Sequence, residues 1–329
     1  MTQASATEPS HAVLEQAAEW YACLRDGKAG ASERSAWQAW LDAAEEHATA
    51  WRYVEEISSG FEPVRSVPDP RQAAQQLSAA NQRLHARRHL LASLALLAGG
   101  GLLGWASWRQ AWLPPGLMAW AADHRSGTGE QRELALADGS RLWLNTASAI
   151  DIHFSARERR IALVAGEVFI ETAADAARPF LVETSHGQMR ALGTRFNVRL
   201  LGESTHLAVY QGAVEIRSAG NGTTIIIPAG RQADFNRDGI GAASTADIAR
   251  EAWTQGTLVA DNIPLREVIA ELRRYRKGHL GVADEVAELK VYGNFPIGDT
   301  DRVLRMLASA LPIRIEQPLP WWTSVEAGR

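Results

Sequence analysis

Apolar positions along this chain change their spacing several times, and each change marks a different kind of structure. Near the start they recur at helical intervals: Leu14, Ala17, Ala18 and Tyr21, widened by Trp20 and Leu24. Asp26, Gly27 and Gly30 interrupt that stripe. A second helix, capped by Ser32, carries Trp37, Trp40 and Leu41. A third carries His47, Ala50, Trp51, Val54 and Ile57. The pattern predicts a small three-helix unit within residues 1–70, closed by the proline-rich linker EPVRSVPDPR. A polar lead follows over 71–89. From Leu90 to Trp108 there is no charged residue over 19 positions, enough for a helix of roughly 28 Å. Arg83, Arg87 and Arg88 flank one end and Trp105, Trp108 and Trp112 the other. That asymmetry predicts a single membrane-crossing helix with the N-terminus inside. Residues 109–122 form a proline-bent connector.

From about Asp123 the spacing becomes two. Alternation over 133–136, 142–144, 150–154, 161–170, 180–182, 189–200, 207–216 and 223–227 is punctuated by Asp138-Gly139, Gly166, Gly212 and Asn221-Gly222. Short, evenly spaced strands predict an all-β domain over 123–249. A solenoid-like stack is favoured, since every rung is short and no closing pair stands out. Beyond Trp253 strands and helices mix. Leu258–Ala260 reads as a strand. Pro264 opens a helix with Leu265, Val268, Ile269 and Leu272, and Gly278 stops it. Further strands follow at 280–282, 289–295 and 313–315, with a helix from Asp299 or Thr300 between the last two. This is an α+β unit over 250–317. The tail 318–329 is expected to lack structure apart from the pair Trp321 and Trp322.

The bulk numbers narrow the chemistry. A net charge of −4 over 329 residues gives no reason to expect a nucleic-acid partner, and residues 1–70 are more acidic than basic. One cysteine, Cys23, rules out a disulfide framework. Dinucleotide, P-loop, HExxH and CxxC signatures are absent, so no cofactor or metal is expected. No paired carboxylates or Ser/His/Asp set stand at a recognisable spacing, which argues against a hydrolase. The basic run Arg273, Arg274, Arg276, Lys277 suits the end of a helix. Four tryptophans in the helical unit exceed what so small a unit buries. Trp37, Trp40 and Trp51, with Trp20, are therefore candidates for a protein-binding face.

Five ordered blocks carry a resemblance: LALADGSRLWLNTASAI (134–150), LVAGEVFIE (163–171), RPFLVET (178–184), ALGTRFNVR (191–199) and VYQGAVEI (209–216). Together they resemble the FecR family of bacterial transmembrane sigma-factor regulators. SAWQAWLDA and EHATAW, with Trp20, are similar to that family's N-terminal anti-sigma module, and the C-terminal unit to its short secretin/TonB-like domain. The resemblance implies cell-surface signalling across the inner membrane of a Gram-negative bacterium, with the N-terminus cytoplasmic and the C-terminus periplasmic. A TonB-dependent outer-membrane receptor, commonly for an iron complex, contacts the C-terminal unit, and an extracytoplasmic-function sigma factor is held at the N-terminal unit. On this reading the receptor pairs with an edge strand, Leu258-Val259-Ala260 or the strand of Val291 and Phe295. Some members cleave themselves at a Gly-Thr bond, which points to Gly193-Thr194, with His186 a nearby candidate base. The glycine-rich span after Arg87-Arg88 also resembles a twin-arginine export signal. The competing expectation is a cell-wall or polysaccharide-binding module with no sigma partner.

Overall fold

The computed structural model describes residues 9–25, 29–65, 119 and 122–328, apart from the side chains of 62–65. The chain divides into two compact units. The first holds three helices, α1 (His11–Arg25), α2 (Ala31–Ala43) and α3 (Glu45–Arg65). Its core is narrow: Leu14, Ala17 and Ala18 meet Ala50 and Val54. Small side chains at three of these places bring the helix backbones close and leave the large aromatics at the rim. By its contacts the segment Pro318–Trp322 belongs to this unit, and Leu319, Trp321 and Trp322 join its core.

The second unit is built on two seven-stranded sheets. In spatial order the first sheet holds β1 (His124–Arg125), β4 (Ala149–Phe154), β5 (Arg159–Ala165), β7 (Phe180–Thr184), β8 (Gly187–Ala191), β11 (Ala213–Ser218) and β12 (Thr224–Pro228). The second holds β14 (Ser244–Thr245), β13 (Arg231–Phe235), β10 (Ser204–Gln211), β9 (Arg195–Leu201), β6 (Glu167–Glu171), β3 (Arg141–Leu144) and β2 (Arg132–Ala135). Neighbours are antiparallel except β5 and β7. One core lies between them: Ile150, Ile161, Phe180 and Met189 from the first sheet face Leu142, Ile170, Phe196 and Leu207 from the second.

Two parts of the expected fold class are corrected. The β region is a sandwich, not a solenoid-like stack. The physical reason lies at glycine corners, where the chain leaves one sheet for the other. Gly166, with φ +81°, joins β5 to β6, and Gly212, with φ +76°, joins β10 to β11. Each long alternating run in the sequence is therefore two strands in opposite sheets. The expected transmembrane helix over 90–108 lies outside the described residues. Among the described residues no helix is long and apolar enough to cross a membrane. The longest, α3, has 21 residues but carries Glu45, Glu46, Glu55 and Glu56.

After β14 a 3₁₀ segment, Ile248–Gln255, leads into the α+β region. It comprises β15 (Thr257–Pro264), α4 (Leu265–Arg273), β16 (His279–Val282), α5 (Asp284–Ala287), β17 (Lys290–Pro296), α6 (Thr300–Ala310), β18 (Ile313–Leu319) and β19 (Trp322–Ala327). β15 pairs with β17, and β16, β19 and β18 make a second sheet. The tail thus contributes a strand. Leu265, Val268, Ile269 and Leu272 of α4 and Val303, Leu304 and Leu307 of α6 are buried, the helical stripes expected from their spacing. Their core also takes in Phe169, whose neighbours Val168 and Ile170 point the other way into the sandwich. Strand β6 therefore has a core on each face.

Candidate functional site

The helical unit presents the first site. No residue of α2 is buried. Trp20, Trp37, Trp40 and Trp51 are all half-buried, so none is spent as a core residue. Trp51 sits between two rings, 5.9 Å from Tyr21 and 5.0 Å from Trp37. Trp40 stacks on His47 at 4.5 Å with 7° between the planes. The Trp40 indole donates to Gln16 Oε1 at 2.9 Å, and His47 Nδ1 bonds the Trp40 carbonyl at 2.7 Å. The structure thus brings Trp37 and Trp51 together, ties Trp40 to both α1 and α3, and leaves Trp20 beside Gln16, Glu19 and Cys23. The indole N–H of Trp37 is covered yet has no acceptor.

The second place is the corner between β8 and β9. Gly193 has φ +75° and Leu192 beside it is 49% exposed. A side chain on Gly212 would collide with the Gly193 carbonyl oxygen, so the two corners are pressed together. Thr194 is buried and its hydroxyl has no hydrogen-bond partner. Its backbone N–H donates to Thr172 Oγ1 at 2.8 Å, and Thr172 N–H donates to the Thr194 carbonyl at 3.0 Å. His186 is not brought here. It lies at the other end of β8, roughly 16 Å of strand away, with Nδ1 bonded to Thr205 Oγ1 at 2.9 Å.

The third place is the β15–β17 ladder. Leu258 pairs with Phe295 and Ala260 with Gly293. Ala260, Val291 and Phe295 are buried in the unit's own core, whereas Leu258 and Val259 are half-buried. Among the described residues neither strand has a second neighbour, so what they offer outward is backbone. The sequence reading passed over Tyr292, which is 65% exposed in the middle of β17. Strand alternation around it was the available signal, since Val291 is an inward position.

A charged junction fastens this region to the sandwich. Glu167 is buried, accepts from Asn145 and Asn197, each at 2.9 Å, and pairs with Arg274 at 2.6 Å. Burial alone would raise the Glu167 pKa. Arg274 and Arg199 outweigh it and hold the carboxyl below its ordinary value. Arg199 pairs with Glu271 at 2.9 Å. The Gln131 amide donates to the Trp253 carbonyl at 2.7 Å.

These features define a class: a helical module with a half-buried aromatic face, followed by a two-sheet sandwich that carries a docked α+β domain. Residues 122–215 match the model of the FecR protein family, and residues 15–57 match DUF4880, a domain of unknown function. The chain carries a FecR domain over residues 122–215, as the resemblance implied. Two crystal structures of a candidate anti-sigma factor from Parabacteroides distasonis ATCC 8503, at 1.65 and 2.50 Å, share the fold. Both are 23% identical and cover 63% of this chain. One has a TM-score of 0.52 over 99% of its own length, the other 0.51 over 98%. No curated protein matches the chain.

Proposed function

We propose that this protein regulates a sigma factor, which it holds at the aromatic face of α2 and α3. The observation that carries this reading is α2 itself, a helix with two tryptophans and no buried residue, inside the segment that matches DUF4880. A helix with no fully buried residue in its own unit gains further stability from a partner that covers its half-buried aromatic face. The fold shared with a candidate anti-sigma factor supports the same reading. The finer proposal is that the signal comes from a TonB-dependent outer-membrane receptor whose signalling domain adds a strand beside β15 or β17. Purification of the tagged full-length chain from its own cells tests both halves. It should retain an extracytoplasmic-function sigma factor and the receptor. Trp37→Ala should weaken the sigma factor by about 2 kcal/mol or more with the helical circular dichroism unchanged. Tyr292→Arg should release only the receptor. Absence of any sigma factor from the wild-type eluate overturns the first half, and retention of the receptor by Tyr292→Arg the second.

A second reading concerns Gly193-Thr194, and the orphaned, buried Thr194 hydroxyl favours it. Attack of Thr194 Oγ1 on the Gly193 carbonyl carbon forms an ester and breaks the C–N bond. The hydroxyl proton is lost and the freed Thr194 nitrogen gains one, so the shift is balanced. Thr172 Oγ1, already 2.8 Å from that nitrogen, is placed to deliver the proton. Water then opens the ester to a carboxylate and a free hydroxyl. Denaturing gels of protein made without protease inhibitors should show two bands for wild type and Thr194→Ser, and one for Thr194→Ala. A single full-length wild-type band removes the reading.

A further inference from the structure

The two sheets of the sandwich end in four edge strands, β1, β12, β14 and β2. An unprotected edge is a template for another strand. Three of these edges are blunted: β1 and β14 are two residues long, and β2 carries Arg132 and Glu133. The fourth, β12, reads Thr224-Ile225-Ile226-Ile227-Pro228. It has no charge, and among the described residues it pairs only with β11. Four of its five residues are β-branched, the type that suits a strand paired on both sides.

The packing at this edge is incomplete. Ile225 pairs with Ile216 and Ile227 with Val214, so both stand on the core face. Ile227 is fully buried, yet Ile225 is 38% exposed. Ile226 stands on the opposite face beside Glu215 and is 55% exposed. The bonds at the two ends of the β11–β12 ladder settle which backbone groups are spare. Ser218 N–H donates to the Thr223 carbonyl, and Ala229 N–H donates to the Gly212 carbonyl. By antiparallel alternation, the odd positions from 223 to 229 turn their backbone groups toward β11. The free edge is then the N–H and C=O of Thr224 and Ile226, with the C=O of Pro228, which has no N–H.

We propose that β12 pairs antiparallel with β12 of a second copy of this chain, about a two-fold axis at Ile226. In that register the two Ile226 residues exchange backbone hydrogen bonds. Pro228, able only to accept, falls opposite the Thr224 N–H of the other copy. Ile225 falls opposite Ile227 of the other copy and is covered on the core face. Two-fold pairing sets identical strands against each other, so charges in the strand would risk meeting their like. β12 carries none, which is why a second copy fits it. One five-residue edge is a small interface, so the pairing is reversible and depends on concentration.

Sedimentation velocity of the full-length chain in mild detergent should show a reversible shift from one to two chain masses as concentration rises. Ile226→Lys and Ile226→Asp each set like charges together on the axis and should weaken the dimer roughly tenfold. A mixture of the two variants should restore it, because opposite charges then meet, and that rescue separates lost pairing from lost folding. Cross-linking fixes the register. In a Cys23→Ser background a short bis-maleimide should join copies of Ile226→Cys. It should join Thr224→Cys far less, since those two thiols start roughly 13 Å apart along the strands. A chain that stays monomeric at every concentration overturns the proposal and leaves the edge to a strand of another protein. Undiminished dimerisation of Ile226→Lys, a mixture of the charged variants that stays monomeric, or equal cross-linking at 224 and 226 also overturns it.

Discussion

Asp138 and Arg159 make an ion pair with side chains 1% and 4% exposed, 2.8 Å apart. Such a pair survives only if its remaining hydrogen-bonding groups are met. Here they are: Arg159 also donates to the carbonyls of Ala173 at 3.0 Å and Arg178 at 2.9 Å, and Asp138 accepts from Ser140 N–H at 3.0 Å and Oγ at 2.7 Å. Burial would raise the Asp138 pKa, but the Ser140 and Arg159 bonds outweigh it and hold the carboxyl below its ordinary value of 3.8. A carboxyl depressed in the folded state stabilises fully above the unfolded value, and the contribution is lost as pH falls through the folded one. Urea unfolding should therefore show stability constant from neutral pH to about 5 and then falling, with Asp138→Asn flattening the acid limb. Asp138→Ala should cost about 3–5 kcal/mol at neutral pH, because Arg159 stays buried without its partner. A variant within experimental error of wild type at every pH would contradict this account. Nothing in the sequence signalled the pair, since its members are 21 residues apart and meet only through the fold.

At the scale of elements, the glycine corners decide the architecture. Gly212 has φ +76°, and a Cβ there would meet the Gly193 carbonyl and the Thr194 methyl. Gly222 has φ +68° with open space around it. Gly212→Ala should therefore cost roughly 2–3 kcal/mol and Gly222→Ala roughly 1 kcal/mol, the difference being the steric part. Equal losses in thermal melts would show that backbone strain alone matters. These corners also explain how much of the fold was legible. Strand positions were readable, because period-two alternation is local: 142–144 is β3 and 150–154 lies in β4. Which sheet a strand joins is not local. The run 161–170 read as one rung, yet Gly166 sends its halves to opposite sheets. The aromatic face was legible by a count of tryptophans against the small size of the unit. Its geometry was not, since Trp37 and Trp51 meet across two helices. The five residues expected to touch a receptor marked a real ladder, but three of them serve the local core.

Across the whole of the second unit, the α+β region and the sandwich share a core. The sequence drew a boundary at residues 249 and 250, where the spacing changes. Yet Phe169 packs with Trp143 at 5.6 Å and Tyr210 at 5.8 Å on the sandwich's outer face, and all three join the cluster of α4 and α6. Glu167 and Arg274 cross the same boundary, as do Arg195 and Glu251 at 3.1 Å. A shared apolar cluster and a buried charge pair couple the two folding events, so local opening of one should open the other. Arg274→Met tests this. It removes the ion-pair partner of the buried Glu167 and leaves it Asn145, Asn197 and the charge of Arg199, at a cost of about 3 kcal/mol. If the regions are coupled, amide exchange should accelerate by a similar factor in β6 and β9 and in β15 and α4, and denaturant should still give one transition for the whole unit. Protection lost only in β15 and α4, with β6 and β9 unchanged, would mean that the sandwich stands alone and that the α+β region is an appended domain.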